Sequence, residues 1–210
     1  MQEIKNLSAY RRSLKDKIME TSMKAFAKDG IKAVRMDSIA KSLNISKRTL
    51  YEIYKTKEEL LFEGVKTYKA LQEQKMEEVA RGKSDVMDII LYVYRQKVEE
   101  FRKTCPQFYN DLVKYPAIME YLSADRQRNQ RQMVAFLERG VGEGYFRPEI
   151  NKELVVIAFE SFGNFIMERR LYEHYSIGTV FMNIQLVALR GICTMKGIEV
   201  LDRFMKSQNP

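Results

Sequence analysis

The sequence is short of the residues that build the commonest small reactive sites. It has two cysteines, Cys105 and Cys193, and one histidine, His174, in 210 residues. Two cysteines cannot form a disulfide framework. Neither stands at a metal-ligand spacing, so a zinc site of the Cys/His type is excluded and two thiols in a reducing compartment are expected. Tryptophan is absent, and proline occurs at four positions, Pro106, Pro116, Pro148 and Pro210. The first three fall where helix boundaries are expected in any case. Apolar runs such as Val155-Val156-Ile157-Ala158-Phe159 are too short to span a bilayer. The opening Met1-Gln2-Glu3-Ile4-Lys5 carries no secretory apolar stretch, so a cytoplasmic protein without a membrane partner is expected. No run of β-branched residues alternates with polar ones over the length of a strand.

What the chain does have is helical periodicity and unevenly placed charge. Hydrophobic residues make up 45% and charged residues 30%, the balance of a globular protein. The net charge is +8. Residues 1–60 hold 14 Lys and Arg against 8 Asp and Glu, a net of +6. Residues 61–210 hold 22 against 20, a net of +2. A solvated basic surface would account for this, but a local excess is also the footprint expected of a polyanion-binding segment.

Periodicity predicts an all-α chain. A first amphipathic helix spans about Ser13 to Lys28 and stops at Asp29-Gly30. Two short helices follow, about Met36 to Leu43 and Lys47 to Tyr54, joined by a tight turn at Asn44-Ile45-Ser46. A long helix opens near Thr56, which with Glu59 has the form of a capping box. Further helices are expected over about Val86–Val98, Pro106–Tyr115, Ala117–Val141, Lys152–Tyr172 and Ile177–Lys196.

Two short helices after a longer one are the parts of a helix-turn-helix. Ile39, Ala40 and Leu43 face inward, Ile45 plugs the turn and Leu50 anchors the second helix. Asn44 suits positive φ, and Ser46 suits an N-cap. The exposed residues of the second helix, Lys47, Arg48, Thr49 and Tyr51, fit base edges and phosphates, and Lys55 and Lys57 follow at the mouth of the next helix. Tyr51 fits either a packing or a phosphate-contact role, and Lys57 either a phosphate contact or a solvated lysine.

The stretch from Asp37 to Leu61, with Ala25-Phe26 and Gly30 upstream, Thr49-Leu50-Tyr51, Tyr54, and Lys57 before Glu58-Glu59-Leu60-Leu61, resembles the DNA-binding signature of the TetR (AcrR-like) regulators. The likeness is specific over residues 14–62; beyond that it is one of architecture. Asn44 stands where the family usually has glycine. Arg35 stands where a capping threonine is common, and its guanidinium is expected to replace that contact. The resemblance implies a helix-turn-helix DNA-binding domain over residues 1–58 and a helical ligand-binding and dimerisation domain over residues 59–210. It implies DNA contacts from Arg35, Ser46, Lys47, Arg48, Thr49, Tyr51, Tyr54, Lys55 and Lys57. It also implies a homodimer on a palindromic operator, paired through the last two long helices at Ser161, Phe162, Phe165, Phe181, Ile184, Gln185 and Ala188. A small-molecule effector is expected among Tyr92, Tyr94, Phe101, Phe108, Tyr109, Tyr121, Met133 and Phe159, although aromatics at helical spacing also serve simply as core.

An enzyme and a non-specific DNA coat are the rival readings. Cys105 and His174 fall in different helices with no orienting carboxylate. Gly140-Val141-Gly142-Glu143-Gly144 looks like a phosphate loop but ends a helix instead of following a strand. Neither a cofactor, a catalytic residue nor a metal ligand is expected.

Overall fold

The computed structural model describes residues 2–82, 84–124 and 126–208. It is helical throughout, and among the described residues the extended pairing is an isolated antiparallel bridge between Phe146 and Cys193. The helices are α1 (Gln2–Asp29), α2 (Met36–Ser42), α3 (Lys47–Ile53), α4 (Lys57–Arg81), α5 (Val86–Lys103), α6 (Pro106–Leu112), α7 (Pro116–Ser123) and α8 (Arg126–Gly142). After a break come α9 (Lys152–Glu168), α10 (Leu171–His174), α11 (Ile177–Val180), a π-helical segment (Phe181–Leu186), α12 (Val187–Ile192) and α13 (Met195–Gln208).

The chain folds into two compact units. Unit 1 takes the described residues of Met1–Lys75 and Lys103–Glu120, and unit 2 those of Met76–Arg102 and Tyr121–Pro210. The unit that holds the short helices is therefore larger than the span 1–58 read from the sequence. It includes the first three quarters of α4 and recruits α6, which lies some fifty residues further along the chain.

Unit 1 forms around four positions of α1 spaced by four residues, Leu14, Ile18, Ser22 and Phe26, all buried. Ser22 is tolerated there because its hydroxyl donates to the Ile18 carbonyl at 2.6 Å. Ile31, Ile39, Ala40, Leu50, Tyr54, Leu60, Leu61 and, from α7, Ile118 complete this core. In unit 2, Val86, Met87, Tyr94, Leu137, Phe146, Phe181, Leu201 and Phe204 make a second core. Tyr94 meets Phe204 edge to face at 5.2 Å, and Phe101 meets Phe181 in the same way at 6.1 Å.

Several helices depart from their expected bounds for local reasons. The first begins at Gln2, not near Ser13. The helix expected over 106–115 ends at Leu112 because Pro116 starts a new one. The helix expected over 152–172 ends at Glu168, where Arg170 takes a left-handed conformation (φ 49°). The helix expected over 177–196 contains the π-helical segment and stops at Ile192, since Cys193 is extended to pair with Phe146. Of the glycines from 140 to 144, Gly144 (φ 79°) ends α8, whereas Gly140 lies inside it.

Gly140 is small for a packing reason. A Cβ there would overlap the Phe146 ring and come within 3.2 Å of Val86, both fully buried. Gly140→Ala is expected to cost about 1–3 kcal/mol through overpacking. A urea titration reads this as a lower midpoint at unchanged slope; an unchanged midpoint would refute the packing.

Candidate nucleic-acid interface

The helix-turn-helix is held by short-range caps that the sequence announces. Asn44 has φ 54°. Its N–H donates to the Lys41 carbonyl at 3.1 Å, and the Ile45 N–H donates to the Ala40 carbonyl at 3.0 Å. That pair of bonds is a Schellman motif, with Asn in place of glycine. Ser46 caps α3, its Oγ accepting from the Thr49 N–H at 3.0 Å. Thr56 Oγ1 accepts from the Glu59 N–H at 3.0 Å, and Glu59 Oε2 accepts from the Lys55 N–H at 2.8 Å. This is a capping box shifted one residue outward at its return bond.

On this frame α3 presents Lys47, Arg48 and Tyr51 to solvent, with Thr49 partly covered. Lys47 pairs with Asp37 of α2, and Arg48 pairs with Glu52 at 2.9 Å. The Arg48 side chain remains 89% exposed. Arg35 is exposed at the N-cap of α2 and makes no side-chain cap, consistent with the missing threonine. Lys55 is exposed as well. Ser46 serves the protein itself, sharing its hydroxyl with Thr49 Oγ1 at 2.8 Å.

Two expected contacts turn out differently. Tyr54 is 1% exposed and belongs to the core, so it cannot reach a phosphate. Burial, then the nearby carboxylates of Glu63, Asp16 and Glu59, push its phenol up to about 12. The ring lies under the Lys15 ammonium at 5.5 Å, and the hydroxyl finds no hydrogen-bond partner among the described residues. Lys57 turns inward: its ammonium donates to the Ile31 carbonyl at 2.9 Å and the Val34 carbonyl at 3.0 Å. It ties the turn between α1 and α2 and is not simply solvated.

The other expected sites are brought together only in part. Tyr94, Phe101 and Phe159 join the unit 2 core, with Tyr92 and Tyr121 half-buried and Met133 exposed. Phe108 and Tyr109 lie in unit 1, edge to face at 5.4 Å. Among the expected dimer residues Ser161 and Phe165 are exposed, while Phe162, Ile184, Gln185 and Ala188 are partly covered. Phe181 is a core residue at 7% exposure. The interface expected from the sequence does not include Leu154, Ile157 and Val187, which are 63%, 51% and 53% exposed. The i, i+3 spacing of Leu154 and Ile157 on α9 was the available signal for those two. The thiol of Cys193 is fully buried and pushed up to about 11, first by burial, which makes it a poor nucleophile. Among the described residues no helix is long and apolar enough to cross a membrane.

Opposite stability effects are expected from the two inward-facing residues. Tyr54→Phe removes an unpaired buried hydroxyl and is expected to stabilise by up to about 1 kcal/mol. Lys57→Met strands two carbonyls and is expected to cost about 1–2 kcal/mol. Parallel urea titrations check both, and shifts of the same sign would contradict these placements.

Residues 18–63 match the family described as bacterial regulatory proteins, tetR family. Over 148 residues the chain is 26% identical to the HTH-type transcriptional repressor KstR2 of Mycolicibacterium smegmatis, covering 68% of this chain and 72% of that one. The fold is shared with the ketosteroid transcriptional regulator KstR2 of Mycobacterium tuberculosis, at TM-score 0.58 and 18% identity over 86% of this chain and 95% of that one. It is also shared with a TetR-family regulator from Marinobacter aquaeolei VT8, at TM-score 0.70 and 16% identity over 93% and 98%. Residues 18–63, which hold the capped cationic helix-turn-helix, thus match a tetR-family segment, and the chain as a whole shares the all-helical fold of TetR-family regulators.

Proposed function

We propose that the protein is a homodimeric repressor that reads a palindromic operator with α3 of each copy and is released by a small apolar ligand. The observation that carries the DNA reading is α3 itself. Its core face is fixed by Leu50, its first turn by Ser46, and its open face holds Lys47, Arg48 and Tyr51. Arg48 is the residue for a guanine edge. Lys47, Tyr51, Lys55 and Arg35 hold phosphates, and Thr49 reaches a thymine methyl or a phosphate.

The dimer reading rests on the exposed stripe of α9, where Leu154, Ile157, Ser161 and Phe165 follow one another at helical spacing, and on Val187 of α12. A stripe of this kind usually marks an interface. Pairing is also what α3 needs. One short helix reads few base pairs, and two set ~34–36 Å apart read both halves of a palindrome. The ligand reading rests on the aromatic interior of unit 2 and on a neighbour of the same fold whose name is that of a ketosteroid regulator. Such a ligand can act only if it favours one arrangement of the dimer over the other.

Selection of bound duplexes from a random pool tests the reading. A palindrome preferred ~10³-fold or more over random DNA at fixed salt is expected. Equal affinity for all duplexes would instead favour a non-specific coat. Arg48→Ala is expected to relax preference at one position in each half-site, at a cost of about 1–3 kcal/mol. The paired change Ile157→Glu and Phe165→Glu is expected to give monomers in sedimentation and to abolish palindrome preference. A stable dimer in that variant would overturn the α9 assignment.

A further inference from the structure

Asp111 of α6 is the buried charged residue among the described residues of unit 1, at 2% exposure, and the DNA reading makes no use of it. A carboxylate is buried only when its lone pairs are claimed. Here Oδ2 accepts from the Lys32 backbone N–H at 2.7 Å. Oδ1 accepts from the Gln107 side-chain amide at 2.9 Å and the Lys114 ammonium at 3.1 Å. Burial alone would raise its pKa, but the bonds from Lys32, Lys114 and Gln107 outweigh that and hold the carboxyl below its usual range. It therefore stays ionised at neutral pH.

What it grips is the turn that aims the helix-turn-helix. Residues 30–35 lead from α1 into α2. Lys57 holds the Ile31 and Val34 carbonyls of this turn, and Asp111 holds the amide between them. Gly30 adopts φ 87°, and any Cβ there would sit 2.8 Å from Cγ of Gln107, so α6 closes on the turn with no space between. One residue before α6, the Cys105 N–H donates to the Ala27 carbonyl at 2.7 Å, near the end of α1. Five residues after the turn opens, Arg35 stands at the N-cap of α2, and α2 carries the Asp37 that meets Lys47 of α3.

From this double clamp we infer that Asp111 is a positioning residue for operator recognition: it sets where α2 begins, and through α2 the angle at which α3 meets the groove. The inference rests on the reading of α3 as the operator-reading helix. Phosphate contacts tolerate small tilts because long cationic side chains can follow them. Base-edge contacts do not, so loss of the clamp falls on selectivity and spares general affinity.

The test compares palindrome and random-duplex affinity, at one salt concentration, for the full-length wild type, Asp111→Ala and Asp111→Asn. Quantities are corrected to the active fraction, and thermal unfolding is recorded alongside. Wild-type preference for the palindrome tests the α3 reading by itself. Asp111→Ala is expected to lower the palindrome-to-random ratio about tenfold, the worth of one good base contact, while random-duplex affinity stays as it was. Asp111→Asn is expected to recover most of the ratio. Its carbonyl can accept from Lys32, its amide can face a flipped Gln107, and Lys114 can turn to solvent. A lower Tm with the wild-type ratio in Asp111→Ala would make Asp111 structural only and overturn the inference. Equal loss in Ala and Asn would do the same, because charge and not the Lys32 bond would then be responsible. If Asp111→Ala fails to fold, Gln107→Ala decides. Gln107 is exposed, and removing the donor that orients Asp111 is expected to lower the ratio two- to threefold; an unchanged ratio rejects the clamp.

Discussion

Helix α3 has seven residues, about two turns, and a helix that short does not persist in water unaided. Its geometry depends on Leu50, fully buried against Phe26, Ile39, Leu60 and the rest of the unit 1 core, and on Tyr54 behind it. Ser46 caps one end, and at the other the Tyr54 N–H closes on the Leu50 carbonyl at 2.9 Å. Two buried side chains, one side-chain cap and one backbone closure thus convert a marginal segment into a rigid probe. Rigidity matters because a probe that frays would lose on binding whatever entropy it had kept free.

The charges on that probe are arranged to be given away. Lys47 and Arg48 each have a carboxylate partner, Asp37 and Glu52, but both pairs lie largely in solvent. Exposed pairs of this kind are worth roughly 0–1 kcal/mol. Exchanging them for phosphates or a base edge costs little. Lys57 is the contrasting case. Its two carbonyl bonds are partly buried, so the same side-chain type is committed to structure.

This contrast also marks how far the sequence could be read. Asn44, Ser46, Thr56 and Glu59 were legible because each works on partners within five residues, and local backbone geometry is written locally. Lys57 was not, since its carbonyls lie 26 and 23 residues away. Asp111 lies 79 residues from the amide it caps. A signal for it did exist. Asp111 stands three residues after Phe108, on the apolar face of its own helix, where a carboxylate demands donors. Tyr54 was expected as a contact from the family resemblance, whereas the fold packs its ring into the unit 1 core. In unit 2 the overlong helix spans failed at Arg170 and Cys193. Neither residue type forbids helix, and the breaks come from tertiary demands, a left-handed turn and a bridge to Phe146.

The recruitment of α6 bears on how ligand control would be scaled. The backbone passes between the two units at residues 75–76, 102–103 and 120–121. The middle passage lies three residues before α6, which carries Asp111. A tenfold change in DNA affinity needs only about 1.4 kcal/mol of differential binding. A hydrogen bond to a charged group is worth about 1.5–3 kcal/mol. Lengthening the one bond from Lys32 to Asp111 is therefore of the size such control requires. No rearrangement of the unit 1 core, whose Leu50 and Phe26 anchor α3, has to accompany it.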